Sequence, residues 1–159
     1  MNREQATGEE SMATRIQVVF DCADPDVLMA FWADALGYKP MEPPAGFESW
    51  LLYWRSIGVP EDELEGATAV HLVDPDGVGP RVYFQVVPEP KAVKNRLHLD
   101  LAVSGGREVP LETRRWRVDA EAERLAGAGA TRLRVLAEPG VDHYAVVMQD
   151  PEGNEFCLH

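Results

Sequence analysis

Two short runs of alternating residues hold the side chains best suited to chemistry. His98 and Asp100 lie two residues apart in the run 95–103, and Glu155 and Cys157 lie two residues apart at the end of the chain. Alternate side chains of a β-strand point to the same face, so each pair shares a face if both runs are strands. Imidazole and carboxylate groups are common general acids and bases. We therefore predict that these residues line a pocket.

Each of these residues also has a purely structural explanation. His98 is either a pocket residue, which its place on the polar face of a central strand favours, or a buried histidine satisfied by Asp100 or a backbone carbonyl. Asp100 orients His98, binds substrate or pairs with an arginine. Cys157 is interpreted as a small buried hydrophobe rather than a nucleophile, because nothing in the sequence activates its thiol. Gln17 and Gln85 are expected to form hydrogen bonds with ligand, water or each other in a cavity.

The chain repeats one design of turn and strand. Residues 74–77 (Asp-Pro-Asp-Gly) and 150–153 (Asp-Pro-Glu-Gly) have the residue types of tight turns, and each precedes an alternating run. When the two runs are aligned on their turns, Tyr83 and Gln85 of the first run lie on the face that corresponds to the Cys157 face of the second run. Two copies of one module, with a shared pocket between them, explain this repetition.

Each module follows the order strand, helix, strands. Module one is predicted to have a strand at 15–21, a helix between Asp24 and Gly37, and strands at 67–73 and 81–87; module two has a strand at 95–103, a helix at 110–126, and strands at 131–136, 144–149 and 155–159. Module one covers residues 14–88 and module two residues 95–159 of a single domain. Residues 1–13 are predicted to be a disordered N-terminal tail.

Composition excludes several classes of partner. The 159 residues carry a formal net charge of -12, and such a surface repels nucleic acid and anionic lipid. Cys22 and Cys157 are too few for a disulfide framework and form no CxxC motif. No apolar run reaches the roughly 20 residues of a membrane span, and the N-terminus lacks a signal peptide's apolar segment. We predict a cytoplasmic protein that binds neither nucleic acid nor membranes.

The run 47–57 contains two tryptophans. Trp50, Leu51 and Trp54 recur at helical spacing, which predicts a short amphipathic helix. Such aromatic stripes normally pack in a core, and the alternative is that they line a pocket. The acidic residues at 61–65 are expected to form a solvated turn, because no histidine lies among them to complete a metal site.

Several segments together resemble the glyoxalase-like branch of the vicinal oxygen chelate superfamily. They are residues 19–25 with Phe31 and Trp32, residues 83–85 with 88–90, residues 94–101 (Lys-Asn-Arg-Leu-His-Leu-Asp-Leu), and residues 150–157 (Asp-Pro-Glu-Gly-Asn-Glu-Phe-Cys). The resemblance implies an α+β fold, in which two βαβββ modules form a curved, mostly antiparallel sheet around a small-molecule cavity. It also implies a homodimer.

The resemblance further implies where a metal would bind. In metal-using members of this superfamily the ligands come from the first and last strands of each module, and the matching positions are Gln17, Gln85, His98 and Cys157. Only His98 is a strong ligand for a hard divalent ion, since amides carry no charge and a thiolate prefers softer ions. Glu155 lies one pleat before Cys157, so His98 and Glu155 are the candidate ligands of a divalent metal. A cysteine in place of the usual carboxylate argues against the glyoxalase I reaction.

Two classes of function follow from this resemblance. The first is a lyase, isomerase or dioxygenase that acts on a carbonyl or vicinal-oxygen substrate, with His98 as base or ligand and Glu155 or Asp100 assisting. The second is a resistance-type protein that sequesters a small aromatic molecule without chemistry. The candidate substrate-binding residues are Gln17, Gln85, Tyr83, Cys157, Trp50 and Trp54. A bound divalent metal would favour the first class.

Overall fold

The computed structural model describes residues 14–64 and 70–159. The predicted tail at 1–13, and residues 65–69 of the predicted acidic turn and following strand, lie outside the described residues. The elements are β1 (Gln17–Cys22), α1 (Pro25–Leu36), β2 (Lys39–Pro40), α2 (Trp50–Ser56), a 3-10 turn (Glu61–Glu63), β3 (His71–Val73), β4 (Arg81–Val86), β5 (Asp100–Leu101), α3 (Leu111–Gly127), β6 (Thr131–Leu136), β7 (Ala145–Gln149) and β8 (Glu155–Leu158).

Each module forms one four-stranded sheet. The strand order is β1-β4-β3-β2 in module one and β5-β8-β7-β6 in module two, so every strand has a counterpart in the other sheet. The first strand of each module pairs in parallel with the last, and the other pairs are antiparallel. The repeated order of strand, helix and three strands confirms the predicted α+β fold of two βαβββ modules.

Local signals determine where α1 begins and ends. The Asp24 side chain accepts hydrogen bonds from the backbone N–H groups of Asp26 and Val27, and Pro25 takes the first helical position. Gly37 ends the helix in the left-handed conformation, with φ of 66°, which glycine adopts at little cost. Among the described residues, none of the helices has the length and apolar character needed to cross a membrane.

One apolar core joins the two modules. Its largest fully buried side chains come from both sheets and both long helices, and include Trp32, Phe84, Phe156, Leu28, Leu72 and Leu125. Trp32 of α1 packs edge-on against Phe156 of β8, with ring centroids 5.2 Å apart. Its indole Nε1 donates a hydrogen bond of 3.1 Å to buried Asp150, in the turn before β8. The helix of module one is therefore attached to the last turn of module two.

The strand predicted at 95–103 is reduced to Asp100–Leu101. Asp100 pairs with Cys157 in parallel register, and this register sets position 96 opposite Gly153, inside the turn before β8. Arg96 and Leu97 therefore have turn residues beside them rather than a strand, and the chain bends at these two residues. Leu97 is 73% exposed as a result.

Candidate functional site

Three side chains of module two come together on the open face of its sheet. His98 Nδ1 lies 2.8 Å from Asp100 Oδ1, and donor atoms of His98, Asp100 and Cys157 all lie within 4.8 Å of one another. We call these residues the His98 cluster. The side chains of His98 and Asp100 are 42% and 52% exposed, whereas Cys157 is half-buried. The cluster therefore presents an imidazole and a carboxylate to solvent, with a thiol behind them.

Strand register builds the His98 cluster. Asp100 of β5 pairs with Cys157 of β8, and Cys157 pairs with Val147 of β7. Residues paired across a sheet point to the same face, so Asp100 and Cys157 lie side by side. His98 shares this face because it precedes Asp100 by two residues. The row extends to Arg134 of β6, which pairs with Val147.

The surroundings of Cys157 keep its thiol protonated. Burial raises the pKa of Cys157, and Asp100 raises it further through its negative charge and a hydrogen bond. The positive charges of Arg134 and Lys94 act in the opposite direction, but the pKa remains above its ordinary value. Cys157 must therefore lose a proton before its sulfur can bind a metal or attack a substrate.

Glu155 lies beside the cluster, but its carboxylate has other partners. Its Oε2 accepts a hydrogen bond of 2.9 Å from the backbone N–H of Asn95 and lies 3.6 Å from Lys91 Nζ. The Asn95 hydrogen bond lowers the pKa of Glu155, so this carboxylate is ionised at neutral pH. Asp100, rather than Glu155, is the carboxylate that holds the His98 ring.

Two depressions meet at His98. The smaller one, which we call the trough, has a volume of about 390 Å³ and is lined by residues that include Lys94, His98, Arg134, His143, Glu155 and Cys157. The larger one, which we call the cleft, has a volume of about 840 Å³, lies between β1 and the segment 94–99, and includes Phe20, Trp32, Leu97, Leu99 and Glu152 in its lining. Lys94, His98 and Glu155 line both. A single small molecule can therefore contact both depressions.

The two predicted glutamines lie on the sheet of module one. Gln17 accepts a hydrogen bond from the side chain of Arg81, and both residues line a separate depression. Gln85 lies beside Asp21, its partner in β1. In the described part of the chain neither glutamine lines the trough or the cleft. The structure therefore does not bring them together with His98, because the strands that carry them belong to the other sheet.

The predicted aromatic wall residues pack with one another. Tyr83 stacks on His71, with ring centroids 4.7 Å apart. On the short helix α2, which the sequence predicted, Trp50 and Trp54 stack at 5.4 Å, and Trp50 Nε1 donates a hydrogen bond of 2.8 Å to the Met41 carbonyl. Within residues 14–64 and 70–159, none of these three aromatic side chains lines the trough or the cleft.

Four ionisable residues of the trough were not predicted from the sequence, namely Lys94, Arg134, His143 and His159. Lys94 precedes the strand run and gave no periodic signal. Arg134 belongs to an alternating strand, but a β-bulge between Arg132 and Arg134 shifts the pairing with β7. Alternation alone could not say which face Arg134 occupies, because a bulge changes the side that a residue faces.

The donor set of the His98 cluster fits a borderline divalent metal such as zinc. Imidazole nitrogen, carboxylate oxygen and thiolate sulfur all bind zinc at about 2.0–2.3 Å, so two donors at the tetrahedral angle lie roughly 3.3–3.6 Å apart. The donor atoms of the cluster lie up to 4.8 Å apart, so the side chains would have to move closer together to bind one ion. The hydrogen bond between His98 Nδ1 and Asp100 leaves His98 Nε2 free to act as a ligand. With Asp100 engaged on His98 Nδ1, His98 and Cys157 remain as direct donors, one fewer than the three protein donors of a typical catalytic zinc site.

Comparisons with known proteins agree with this fold. A model of the glyoxalase-like domain family matches residues 17–159, while no curated protein matches the chain. Similar solved structures include a glyoxalase/bleomycin resistance protein/dioxygenase family enzyme from Burkholderia phytofirmans, with 19% identity, a TM-score of 0.54, and coverage of 89% of this chain and 94% of that one.

A second similar structure is a mutant of the fosfomycin resistance protein FosX from Listeria monocytogenes, complexed with Mn(II) and 1S,2S-dihydroxypropylphosphonic acid. Its identity is 12% and its TM-score 0.55, and the match covers 94% of this chain and 89% of that one. At these identities the structural likeness establishes the fold alone. With the family match over nearly the whole chain, the protein belongs to the glyoxalase-like domain family of the vicinal oxygen chelate superfamily.

Proposed function

We propose that this protein is a metal-dependent enzyme that acts on a small carbonyl or vicinal-oxygen substrate bound in the trough. The observation that carries the proposal is the His98 cluster, in which nitrogen, oxygen and sulfur donors lie within 4.8 Å of one another beside an open depression. FosX, which has a similar fold, binds Mn(II). The reaction would be that of a lyase, an isomerase or a dioxygenase.

The residues of the cluster have distinct roles in this proposal. A bound divalent ion would polarise a substrate oxygen. His98 and Cys157 would hold the ion, and Asp100 fixes the His98 ring through Nδ1. Glu155 faces the same trough, but its lowered pKa makes it a weak base. We therefore assign Glu155 to holding the segment before β5 in place rather than to proton transfer.

Cobalt substitution tests the metal site. Titration of metal-free protein with Co²⁺ should give one bound equivalent and a near-ultraviolet absorption band from a thiolate–cobalt bond. We expect Cys157→Ser to abolish the band and His98→Ala to weaken Co²⁺ binding by about tenfold or more. Cys22→Ala, which removes the other thiol of the chain, should keep the band. A band that survives Cys157→Ser, or protein that binds no cobalt, would disprove this metal site.

The cleft supports a second candidate function, the binding of a small aromatic molecule without chemistry. Its volume of about 840 Å³ lies within the usual range for small-molecule sites, and Phe20, Trp32 and Leu97 give it an apolar wall. In this case metal-free protein binds an aromatic ligand as tightly as zinc-loaded protein, and Cys157→Ser, which changes a residue outside the lining of the cleft, leaves the affinity unchanged. Calorimetric titration of wild type and Cys157→Ser, each with and without zinc, distinguishes the two candidates.

A further inference from the structure

The trough gathers positive charge on a strongly acidic chain. The formal net charge is -12, yet Lys94 and Arg134 both line the trough. Among the residues that the structure describes, neither cation has an ion-pair partner. Both charges are therefore available to a ligand.

The carboxylates of the trough each have a partner other than these cations, although the charge of Lys94 also helps to lower the pKa of Glu155. Asp100 Oδ1 lies 2.8 Å from His98 Nδ1. Glu155 Oε2 accepts a hydrogen bond of 2.9 Å from Asn95 and lies 3.6 Å from Lys91. The negative charges are thus held on the side of β5, while Arg134 faces the trough from β6.

The strand order places Arg134 opposite the His98 cluster. Arg134 pairs with Val147 of β7, and Val147 pairs with Cys157 of β8, so two strand spacings, roughly 10 Å, separate the backbones of Arg134 and Cys157. Val147 and Ala145 are buried and small, and they form the floor between the two sides. A small organic molecule can lie on this floor with one end at Arg134 and the other at His98.

We propose that the trough binds an organic ligand through an oxyanion, a carboxylate or a phosphate-type group, held by Arg134 and Lys94, with the remainder of the ligand against His98. A guanidinium offers a planar pair of donors that matches an oxyanion, and an ammonium adds a point charge. On a chain of this net charge, an anion needs such local cations to bind. An oxyanion of this kind would define the substrate class of the proposed metal-dependent enzyme. That the part of the ligand against His98 is the part that reacts rests on the proposed function.

Matched probes test the oxyanion site directly in metal-free full-length protein. We would titrate benzoate, phenylphosphonate and the uncharged analogue benzamide, and follow the backbone amide signals by NMR. We expect both anions to bind more tightly than benzamide. Arg134→Gln and Lys94→Gln should each weaken anion binding about three- to tenfold, since each removes a charged hydrogen bond that is partly exposed to solvent. The tighter of the two anions identifies the group that the site prefers.

Arg107→Gln is the matched control, because it removes one exposed cation from a loop that does not line the trough. It should bind the probes like wild type. The proposal is overturned if benzamide binds as tightly as benzoate, or if Arg134→Gln and Lys94→Gln bind the anions as well as Arg107→Gln does.

The oxyanion site and the metal site can each be disproved without the other. Arg134→Gln should retain the cobalt–thiolate band, because Arg134 is not among the donors of the His98 cluster. Selective anion binding by a protein that forms no such band would remove the metal site and leave the oxyanion site standing. A normal cobalt–thiolate band, in a protein that binds anions no more tightly than benzamide, would disprove the oxyanion site and leave the metal site standing.

Discussion

At the scale of single residues, the two thiols show how position alone decides reactivity. Cys22 is 2% exposed, and burial, with the charges of Glu152 and Asp21, raises its pKa to about 11. Burial and Asp100 raise the pKa of Cys157 as well. Both cysteines are therefore protonated at neutral pH, which agrees with the prediction that Cys157 is not an activated nucleophile.

We expect iodoacetamide to modify Cys157 slowly at neutral pH and faster as the pH rises toward the pKa of its thiol, because only the thiolate reacts. Cys22 should react only after unfolding, since it is both buried and protonated. Mass spectrometry of peptides from labelled native and urea-unfolded protein measures the extent of modification of Cys157 and of Cys22. Rapid modification of Cys157 below neutral pH would show a thiolate and contradict the raised pKa.

The same protonated thiol makes metal affinity depend on pH. A metal that binds Cys157 must displace one proton, so its affinity should rise by about tenfold per pH unit while the pH stays below the pKa of the thiol. Competition with a chromophoric chelator at several pH values measures this slope. In Cys157→Ser the metal affinity should rise less steeply with pH. An equal slope in wild type and Cys157→Ser would mean that the sulfur is not a ligand.

At the scale of elements, the turn before β8 holds α1 at two points. Asp150 accepts the hydrogen bond of 3.1 Å from Trp32 Nε1. The carboxylate of Glu152 accepts hydrogen bonds from the backbone N–H groups of Ala23 and Asp24 at 2.9 and 2.7 Å, at the start of the helix. This turn therefore connects the modules as well as reversing the chain.

We expect Asp150→Ala to lower the free energy of unfolding by about 2–3 kcal/mol, because it leaves the buried indole N–H of Trp32 without a partner and removes the bonds that shape the turn. Urea denaturation measures the change. Asp74→Ala is the control, since the hydrogen bonds that the Asp74 side chain accepts from the described residues come from Asp76, Val78 and Gly79 of its own turn. Asp74→Ala should lower the free energy of unfolding by less than Asp150→Ala does. Equal decreases in the two variants would contradict a connecting role for Asp150.

At the scale of the whole molecule, uncovered surface supports the prediction of a homodimer. Strand β6 lies at the edge of its sheet and exposes 42% of Leu133, 42% of Val135 and 37% of Leu136. An apolar strand at a sheet edge is commonly protected by a partner. The exposed glutamines of module one lie on a second open face.

Sedimentation velocity tests this prediction. We expect a mass of about twice the chain mass of 17.6 kDa, which Val135→Glu should reduce to that of one chain if β6 forms the interface. Val78→Glu is a control, because Val78 is 88% exposed in a turn outside that surface. A single-chain mass for the wild type from low to high micromolar concentrations would contradict the homodimer.

The sequence alone determined the architecture, because its signals are local or periodic. Asp24, Pro25 and Gly37 delimit α1 through hydrogen bonds and a backbone angle within the helix ends. The repeated Asp-Pro turns and the alternation of Phe156 and Leu158, both buried in β8, indicated two equivalent modules. Alternation also put His98 and Asp100 on one face, and the structure confirms that these side chains meet.

Only the tertiary structure decided which groups share the site. The register of β5 against β8 sets Cys157 beside Asp100 and frees Glu155 to bind Asn95, and a shift of one residue would reverse the faces. The bulge in β6 decides where Arg134 points. The placement of one module against the other keeps Gln17 away from the trough. These features arise from contacts between distant segments, for which no local residue pattern carries a signal.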